Sequence, residues 1–309
     1  MSIDMPVNNI NESCGNILGK YKHYLSENFK SCVKEKVSLH VDPGHKPVYC
    51  KARSIPVRYK QLVYDELQRL EKHGVISRVY NSRYASPIVV VLKDNGQIRL
   101  CSDFSGTINR HINVPKYPLP NIDDIIANMG QTKVFSKIDC YQAYSQVPLD
   151  EQSKEFTSII TPFGVFCHNY LPYGASSCPS VFQAFICKIL SGIPNTVAFQ
   201  DDILIMGSDK DHHDHILDQV LNALMTAGIK INIKKSKFYV DEVRYLGYVF
   251  NHKGVTPCPD KLDAILKAPA PASLKQVQSF IGMCTFYSKF FSKLFNCFFP
   301  IVSAFKEKY

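Results

Sequence analysis

Two adjacent carboxylates, Asp201 and Asp202, stand between two short apolar runs. Residues 196–199 and 203–206 are rich in β-branched and aromatic side chains, a composition typical of strands. Burying an unpaired carboxylate costs on the order of several kcal/mol, so the chain must turn here and present the pair to solvent, to cations or to a metal ion. A hairpin with a solvated acidic tip and a site for Mg²⁺ both fit this pattern.

A third carboxylate lies upstream. Residues 134–138 have the composition of a strand, and Asp139 stands at its end. Two-metal phosphoryl transfer needs carboxylates that bridge ions about 3.5–4 Å apart. A strand-end aspartate beside a hairpin Asp pair would supply such a triad, made of Asp139, Asp201 and Asp202.

Five segments occur in a fixed order along the chain: FSKIDCYQAYSQVPL at 135–149, YLPYG through PSVFQ at 170–183, FQDDIL at 199–204, YLGYV and GVTP at 245–257, and SLKQVQSFIG through YSKFF at 273–291. In sequence and spacing these segments resemble the reverse transcriptases of gypsy-type LTR retrotransposons. The resemblance extends from about Leu39 to about Phe291, which is most of the chain. It indicates the reverse transcriptase part of a pol polyprotein, without the RNase H domain or the integrase.

The resemblance implies an α+β fold, namely the polymerase right hand of fingers, palm and thumb. An antiparallel palm sheet would carry the Asp triad. Residues 1–38 would form a partly disordered N-terminal extension, residues 39–258 the fingers and palm, and residues 259–309 the thumb and the start of a connection, truncated there.

The implied activity is RNA-directed DNA polymerisation, the extension of a DNA primer on an RNA template with dNTPs by two-metal phosphoryl transfer. Two Mg²⁺ ions, for which Mn²⁺ could substitute, would be held by the three aspartates. Lys235 would act as a general acid near the departing pyrophosphate. The implied partners are the RNA template, the DNA primer, their hybrid, the dNTPs and the missing connection and RNase H region, with no membrane. The implied location is intracellular, in a cytoplasmic virus-like particle, with the nucleus left open.

The resemblance also assigns binding residues. Those for the incoming dNTP are Arg99, Lys93, Tyr144, Tyr173 and Gly174, with Tyr144 packing under the sugar and blocking a 2′-hydroxyl. Those for the nucleic acid are Gln183, Gln200, Gly247 and Tyr248. Without the resemblance, Lys93 and Arg99 also fit exposed bases on a hairpin, and Tyr144 also fits a core tyrosine.

Two positions depart from the family pattern. Gln200 stands where the family usually has Leu, Met, Val or Ile, and it would either hydrogen-bond the primer or mark a decayed copy. Ser105 in Asp103-Phe-Ser105 replaces an arginine that is more frequent in the family. The alternative to an enzyme is therefore a non-catalytic nucleic-acid-binding relic. An aspartic protease is disfavoured, because neither Asp-Thr-Gly nor Asp-Ser-Gly occurs.

Composition sets further bounds. The chain has 309 residues and a formal net charge of +9, which favours a polyanionic partner and also serves solubility. Eleven cysteines without a Cys-x-x-Cys pair indicate reduced, buried thiols of an intracellular protein rather than a disulfide framework. No run of about 18 apolar residues occurs, so no membrane span is predicted.

The elements that must position the site follow from periodicity and caps. A helix is predicted from Pro56 to His73, another after the cap Asn121, and a third from Ser208 to Ala227 with Gly228 as its stop. Residues 155–160 and 165–170 are predicted to form a hairpin. The histidines at 212, 213 and 215 lack a recognisable ligand spacing and are expected to lie in a solvated first turn.

Overall fold

The computed structural model describes residues 15–26, 29–92 and 96–290. The helices are α1 (Gly15–Lys20), α2 (Val57–Lys72), α3 (Ile122–Met129), α4 (Glu151–Phe156), α5 (Cys178–Ile189), α6 (Lys210–Ala227), α7 (Pro259–Leu266) and α8 (Leu274–Thr285). The strands are β1 (Ile76–Val79), β2 (Ser86–Leu92), β3 (Ile98–Ser102), β4 (Val134–Asp139), β5 (Ile159–Thr161), β6 (Gly164–His168), β7 (Thr196–Phe199), β8 (Asp202–Gly207), β9 (Lys237–Val240), β10 (Glu242–Tyr245), β11 (Tyr248–Asn251) and β12 (Gly254–Pro257). Helices and antiparallel sheets together confirm the predicted α+β class.

The described strands form three sheets. One has the order β1-β6-β5-β2-β3, the second β7-β8-β4-β9, and the third β10-β11-β12. Strands β2 and β5 run parallel, and the other pairs between neighbouring described strands run antiparallel. The predicted Asp triad lies in the second sheet, which is antiparallel as predicted.

Strand β8 is buried on both faces. Ile203 and Ile205 belong to the larger core cluster, together with residues of α5 and α6. Leu204 and Met206 belong to a second cluster, together with Tyr245. A strand covered on both faces reads as a continuous apolar run rather than an alternating one, which explains the uninterrupted stretch after the Asp pair.

The three predicted helices are confirmed with small changes at their ends. The Asn121 side chain accepts a hydrogen bond from the Asp123 N–H and caps α3. Gly228 ends α6 at φ +77, and a Cβ there would lie 2.6 Å from the Cys32 carbonyl carbon. A glycine is therefore required at this position both by the left-handed backbone and by the close approach of the N-terminal segment.

The N-terminal segment packs into the larger core. The Tyr24 hydroxyl donates to the Ile229 carbonyl at 2.7 Å, and the Cys32 N–H donates to the Gly228 carbonyl at 3.0 Å. Tyr21 and Tyr24 are both buried. Much of the extension predicted over residues 1–38 thus shares the larger core, and residues 1–14, 27 and 28 of it lie outside the described residues.

The predicted hairpin at 155–160 and 165–170 is wrong in its first half. Asp150 accepts a hydrogen bond from the Ser153 N–H at 2.7 Å and starts α4, which continues to Phe156. Only Ile159–Thr161 remain for β5, which pairs with β6. A capping aspartate therefore overrides strand propensity here.

His213 also departs from the prediction. It is fully buried, whereas a solvated first turn was expected for the histidines of α6. Its ring lies 4.9 Å from the Tyr239 ring, and neither ring nitrogen has a hydrogen-bond partner. Gly207 permits this burial, because a side chain there would collide with His213.

The third sheet packs against the end of α8. Tyr248 of β11 is buried, and its hydroxyl donates to the Phe286 carbonyl at 3.0 Å. The Tyr287 hydroxyl donates to the Gly247 carbonyl at 2.9 Å.

Within the described residues, no helix combines the length and apolar character that a membrane span requires.

We expect His213 to make stability depend on pH. Burial lowers the pKa of His213 from 6.5 to about 4, so the unfolded chain binds its proton more readily than the folded chain does. The stabilisation is complete above pH 6.5 and is lost as the pH falls towards 4, by up to about 3 kcal/mol. In urea unfolding, the free energy of unfolding should decrease less between pH 7 and pH 5 in His213→Leu than in wild type.

The exposed His215 of the same helix provides the control, since His215→Leu should keep the wild-type drop. Burial also lowers the pKa of His168 to about 4, so part of the slope should remain in His213→Leu. An equal drop in His213→Leu and wild type would contradict the prediction.

Candidate active site

The register of β4 against β8 brings two of the three aspartates face to face. Asp139 lies directly opposite Asp202 in this antiparallel pair. Asp201 stands one residue before β8, in the turn that follows Gln200, and is exposed. The Cys140 N–H donates to the Asp201 carbonyl at 2.8 Å, which fixes the turn to the end of β4. The structure thus brings the predicted triad together where the two central strands of the sheet, β4 and β8, end and begin.

The loop before β9 holds Asp139 from the other side. The Asn232 N–H donates to the Asp139 carbonyl at 2.7 Å, and the Asp139 N–H donates to the Ser236 hydroxyl at 3.1 Å. The Ser236 hydroxyl in turn donates to the Asn232 carbonyl at 2.7 Å. This arrangement carries Lys235 past Asp139 with its side chain exposed.

The carboxylates are not electrostatically equivalent. Burial raises the pKa of Asp139, and the negative charges of Asp201 and Asp202 raise it further, whereas Lys235 and Lys137 lower it. The Lys137 ammonium lies 2.7 Å from an Asp202 carboxylate oxygen, and both side chains are largely buried. Asp202 therefore has an ion-pair partner, whereas the pKa of Asp139 is raised despite the nearby positive charges of Lys235 and Lys137.

Lys137 is a site residue that the sequence reasoning missed. It stands two residues before Asp139 in β4, so both side chains point to the same face of the sheet. A lysine inside an otherwise apolar strand, at an even spacing from a predicted metal ligand, was the signal that could have identified it.

The carboxylates fit a Mg²⁺ site in their chemistry. They supply the oxygen atoms that Mg²⁺ prefers, and a dication would relieve the repulsion that raises the pKa of Asp139. Among the described residues, no group of three His, Cys, Asp or Glu side chains converges on a single ion.

A buried amide fixes the turn before Asp201. Gln200 adopts φ +54, in the left-handed region. The Gln183 side chain accepts a hydrogen bond from the Gln200 N–H at 2.7 Å and donates to the Ala198 carbonyl at 2.7 Å. Gln183 is fully buried, so it stabilises the turn from the interior of the protein. This placement differs from the predicted contact with nucleic acid, because a side chain without exposed surface cannot reach a ligand in this conformation.

Tyr144 stands beside this turn. Its hydroxyl donates to the Gln200 side-chain oxygen at 2.7 Å. Its ring lies 5.0 Å from the Tyr173 ring and 5.4 Å from the Phe182 ring. Burial raises the pKa of Tyr144 to about 12, with a contribution from Asp201, so the hydroxyl stays protonated.

The predicted dNTP-binding residues of the palm and fingers meet near Tyr173, whose side chain is 56% exposed. Burial and the charge of Asp201 raise the pKa of Tyr173, while Arg99 on β3 lowers it. Gly174 adopts φ +103, and a Cβ there would lie 2.6 Å from the Ser102 carbonyl oxygen. Glycine is therefore needed at position 174, where the loop before α5 approaches the end of β3.

Lys93, also predicted to bind the dNTP, lies outside the described residues.

Tyr248 is buried, and Gly247 beside it is only partly exposed. Tyr248 stacks on Phe286 with ring centroids 5.3 Å apart and is buried. A Cβ on Gly247 would lie 3.4 Å from the Phe286 ring. Their placement differs from the predicted contact with nucleic acid, because the end of α8 covers them and the pair acts as packing between sheet and helix.

The departure at Ser105 is compensated locally. Arg53 forms an ion pair with Asp103, and the Ser105 hydroxyl donates to the same carboxylate. These hydrogen bonds lower the pKa of Asp103. A guanidinium from the segment before α2 therefore neutralises Asp103 without an arginine at position 105.

Comparisons with known proteins place the site residues in a family context. Residues 91–250 match the family model described as reverse transcriptase (RNA-dependent DNA polymerase). The chain is 34% identical over 260 residues to the uncharacterized protein K02A2.6 of Caenorhabditis elegans, covering 84% of this chain and 20% of that protein. It is 33% identical over 251 residues to the retrovirus-related Pol polyprotein from transposon opus of Drosophila melanogaster, covering 79% of this chain and 25% of the relative. The chain thus spans about a fifth to a quarter of these relatives.

Solved structures match in fold. A foamy viral protease-reverse transcriptase in complex with double-stranded DNA matches with a TM-score of 0.78 and 24% identity, over 93% of this chain and 53% of that one. The same viral protein in complex with an RNA/DNA hybrid matches with a TM-score of 0.76 and 23% identity, over 96% of this chain and 43% of that one. This likeness confirms the predicted right-hand polymerase fold.

We expect the turn before Asp201 to depend on Gln183. Gln183→Leu would leave the Gln200 N–H and the Ala198 carbonyl without their partner, and each unsatisfied buried group costs about 1–3 kcal/mol. Chemical denaturation should show that Gln183→Leu lowers the free energy of unfolding by about 2 kcal/mol or more. The exposed Gln152 serves as the matched control, and Gln152→Leu should change stability little. Equal stability of the two variants would contradict the structural role of Gln183.

Proposed function

Because the chain belongs to the reverse transcriptase family, we propose that it is an RNA-directed DNA polymerase that extends a DNA primer with dNTPs on an RNA template. The observation that carries the proposal is the register that sets Asp139 opposite Asp202, with Asp201 in the adjoining turn. The family model covers this whole arrangement, since residues 91–250 include all three aspartates.

The reaction is attack of the primer 3′-hydroxyl on the α-phosphorus of a dNTP, with pyrophosphate as the leaving group. Two Mg²⁺ ions, when bound, would activate the 3′-hydroxyl and stabilise the charge that develops on the phosphate oxygens. Asp139 and Asp201 would hold the ions. Asp202, paired with Lys137, would keep the edge of β8 in place and add negative charge to the site.

Other residues would position the substrates and move the proton. Arg99 would bind triphosphate oxygens through its planar guanidinium, which is exposed on β3. Lys235 would donate a proton to the leaving pyrophosphate, since its charge acts on Asp139 and its side chain is exposed. Tyr144 would lie under the sugar, and the exposed Tyr173 would stack on a base.

The partners follow from fold and charge. The foamy viral protein of the same fold is bound to double-stranded DNA in one structure and to an RNA/DNA hybrid in another. The net charge of +9 suits a polyanion. An A-form hybrid is gripped mainly through phosphates and 2′-hydroxyls, so binding should weaken steeply as salt rises.

Primer extension on an RNA template in Mg²⁺, repeated in Mn²⁺, tests the activity directly. Asp201→Asn should lower the rate roughly 10³-fold or more, because several kcal/mol of charge stabilisation are lost with the metal ligand. The exposed Asp124 near the start of α3 gives the matched control, and Asp124→Asn should extend at the wild-type rate. Salt-sensitive hybrid binding without extension in either metal would favour a non-catalytic binding protein.

We expect Lys137 to contribute to the acid limit of this activity. Lys137 lowers the pKa of Asp139, and Asp139 must be ionised to hold a metal ion. Replacement by methionine removes the positive charge while it keeps most of the side-chain volume. The acid limb of the pH–rate profile should therefore move to higher pH in Lys137→Met. Lys133→Met, at an exposed position before β4, should leave the profile unchanged, and an identical shift in both variants would contradict the assignment.

A further inference from the structure

We infer that Gln200 is a positioning residue for Tyr144: its side chain fixes the Tyr144 ring beside Asp201 and thereby sets how strongly the site rejects a nucleotide with a 2′-hydroxyl. The inference rests on the proposed polymerase function and assigns the polar residue before the Asp pair a defined task in it. The contact that carries it is the hydrogen bond of 2.7 Å from the Tyr144 hydroxyl to the Gln200 side-chain oxygen.

Gln200 is held rigidly enough to position another side chain. Its backbone lies in the left-handed region, and its N–H donates to the buried Gln183 amide at 2.7 Å. Its side-chain nitrogen lies 3.4 Å from the Pro179 carbonyl, to which it donates. With the nitrogen end of the amide engaged by α5, the oxygen end is directed towards Tyr144.

The Tyr144 ring is fixed from two further sides. It stands on the 3-10 turn Ala143–Gln146, which begins four residues after Asp139. The Phe182 and Tyr173 rings contact it at centroid distances of 5.4 and 5.0 Å. Two ring contacts restrict its tilt, and the bond to Gln200 restricts the remaining motion of its hydroxyl end.

The bond has two consequences for a sugar bound next to the carboxylates. The Tyr144 ring is held by its two ring contacts and by the hydrogen bond of its hydroxyl, so it cannot move aside for an additional hydroxyl group on the sugar. Steric exclusion of a ribonucleotide therefore becomes stronger. The Tyr144 hydroxyl also has a single donor hydrogen, and this hydrogen is committed to Gln200. It is then unavailable to a ribose 2′-hydroxyl, which would otherwise gain a hydrogen bond.

An apolar residue at position 200 offers no acceptor. Tyr144 would then keep its two ring contacts and lose its third constraint, and its hydroxyl would be free to donate to a ribonucleotide. The polar residue is thus coupled to the tyrosine rather than to the primer, and its presence is compatible with an active enzyme.

The test compares incorporation of dNTPs and rNTPs by wild type, Gln200→Met, Tyr144→Phe and the double variant on an RNA template. Methionine matches the length of glutamine without its acceptor, and phenylalanine lacks the donor. Gln200→Met should lower the ratio of dNTP to rNTP efficiency by about tenfold, the effect expected from one hydrogen bond. Tyr144→Phe should lower it less, because it loses the constraint on the ring but has no hydroxyl to offer to a ribonucleotide. The double variant should be no less selective than either single variant, because both remove the same interaction.

Several controls separate positioning from a general structural effect. The exposed Gln152→Met should keep the wild-type ratio. The midpoint of thermal unfolding reports any loss of fold, and a purely structural role would lower the efficiency with both nucleotides while leaving their ratio intact. If Gln200→Met fails to fold, Tyr144→Phe alone decides.

An unchanged ratio in Tyr144→Phe, or additive losses in the double variant, would overturn the inference while wild-type extension upheld the proposed function. If wild type extends with neither nucleotide in either metal, the proposed function fails and the inference fails with it. The wild-type reaction therefore distinguishes the two failures.

Discussion

The repulsion between carboxylates at the ends of β4 and β8 is the interaction on which the site depends. Like charges directly opposite each other in an antiparallel pair are destabilising, yet Asp139 faces Asp202. The cost is tolerated because β8 is packed between two apolar clusters, which fix the register, and because Lys137 neutralises Asp202. Burial raises the pKa of Asp139, and the charges of Asp201 and Asp202 raise it further.

The same site relies on buried hydrogen bonds rather than on its own charges for its geometry. Gln183 reaches from α5 to Ala198 in β7 and to Gln200 in the turn that follows, and Ser236 and Asn232 hydrogen-bond to the backbone of Asp139. The bonds from Ser236 and Asn232 to Asp139 join segments far apart in sequence, whereas the Gln183 bonds join residues 15 and 17 positions apart. Side chains on rigid strands that are fixed by such hydrogen bonds keep their positions before a ligand binds. A site of this kind is preorganised.

Residues near the site divide into those that face solvent and those that hold the frame. Tyr173 and Arg99 are exposed, whereas Gln183, which belongs to the same motif as Tyr173, and Tyr248 are buried. A motif marks a neighbourhood along the chain, but a helix or strand turns each of its side chains in a different direction. Assignment of contacts from motifs alone is therefore least secure where a residue can serve either purpose.

From the sequence by itself, the family resemblance predicted the class of fold, periodicity and caps predicted the helices, and the cost of burying charge pointed to Asp139, Asp201 and Asp202. The last two signals are local, so a short stretch of sequence contains them. The sequence did not predict the ion pair of Lys137 with Asp202, the bond of Tyr144 to Gln200 or the burial of His213. The tertiary structure alone decided these three features. Each depends on the register of two strands or on the packing of a helix against a sheet, and such distances are fixed by the whole core rather than by neighbouring residues.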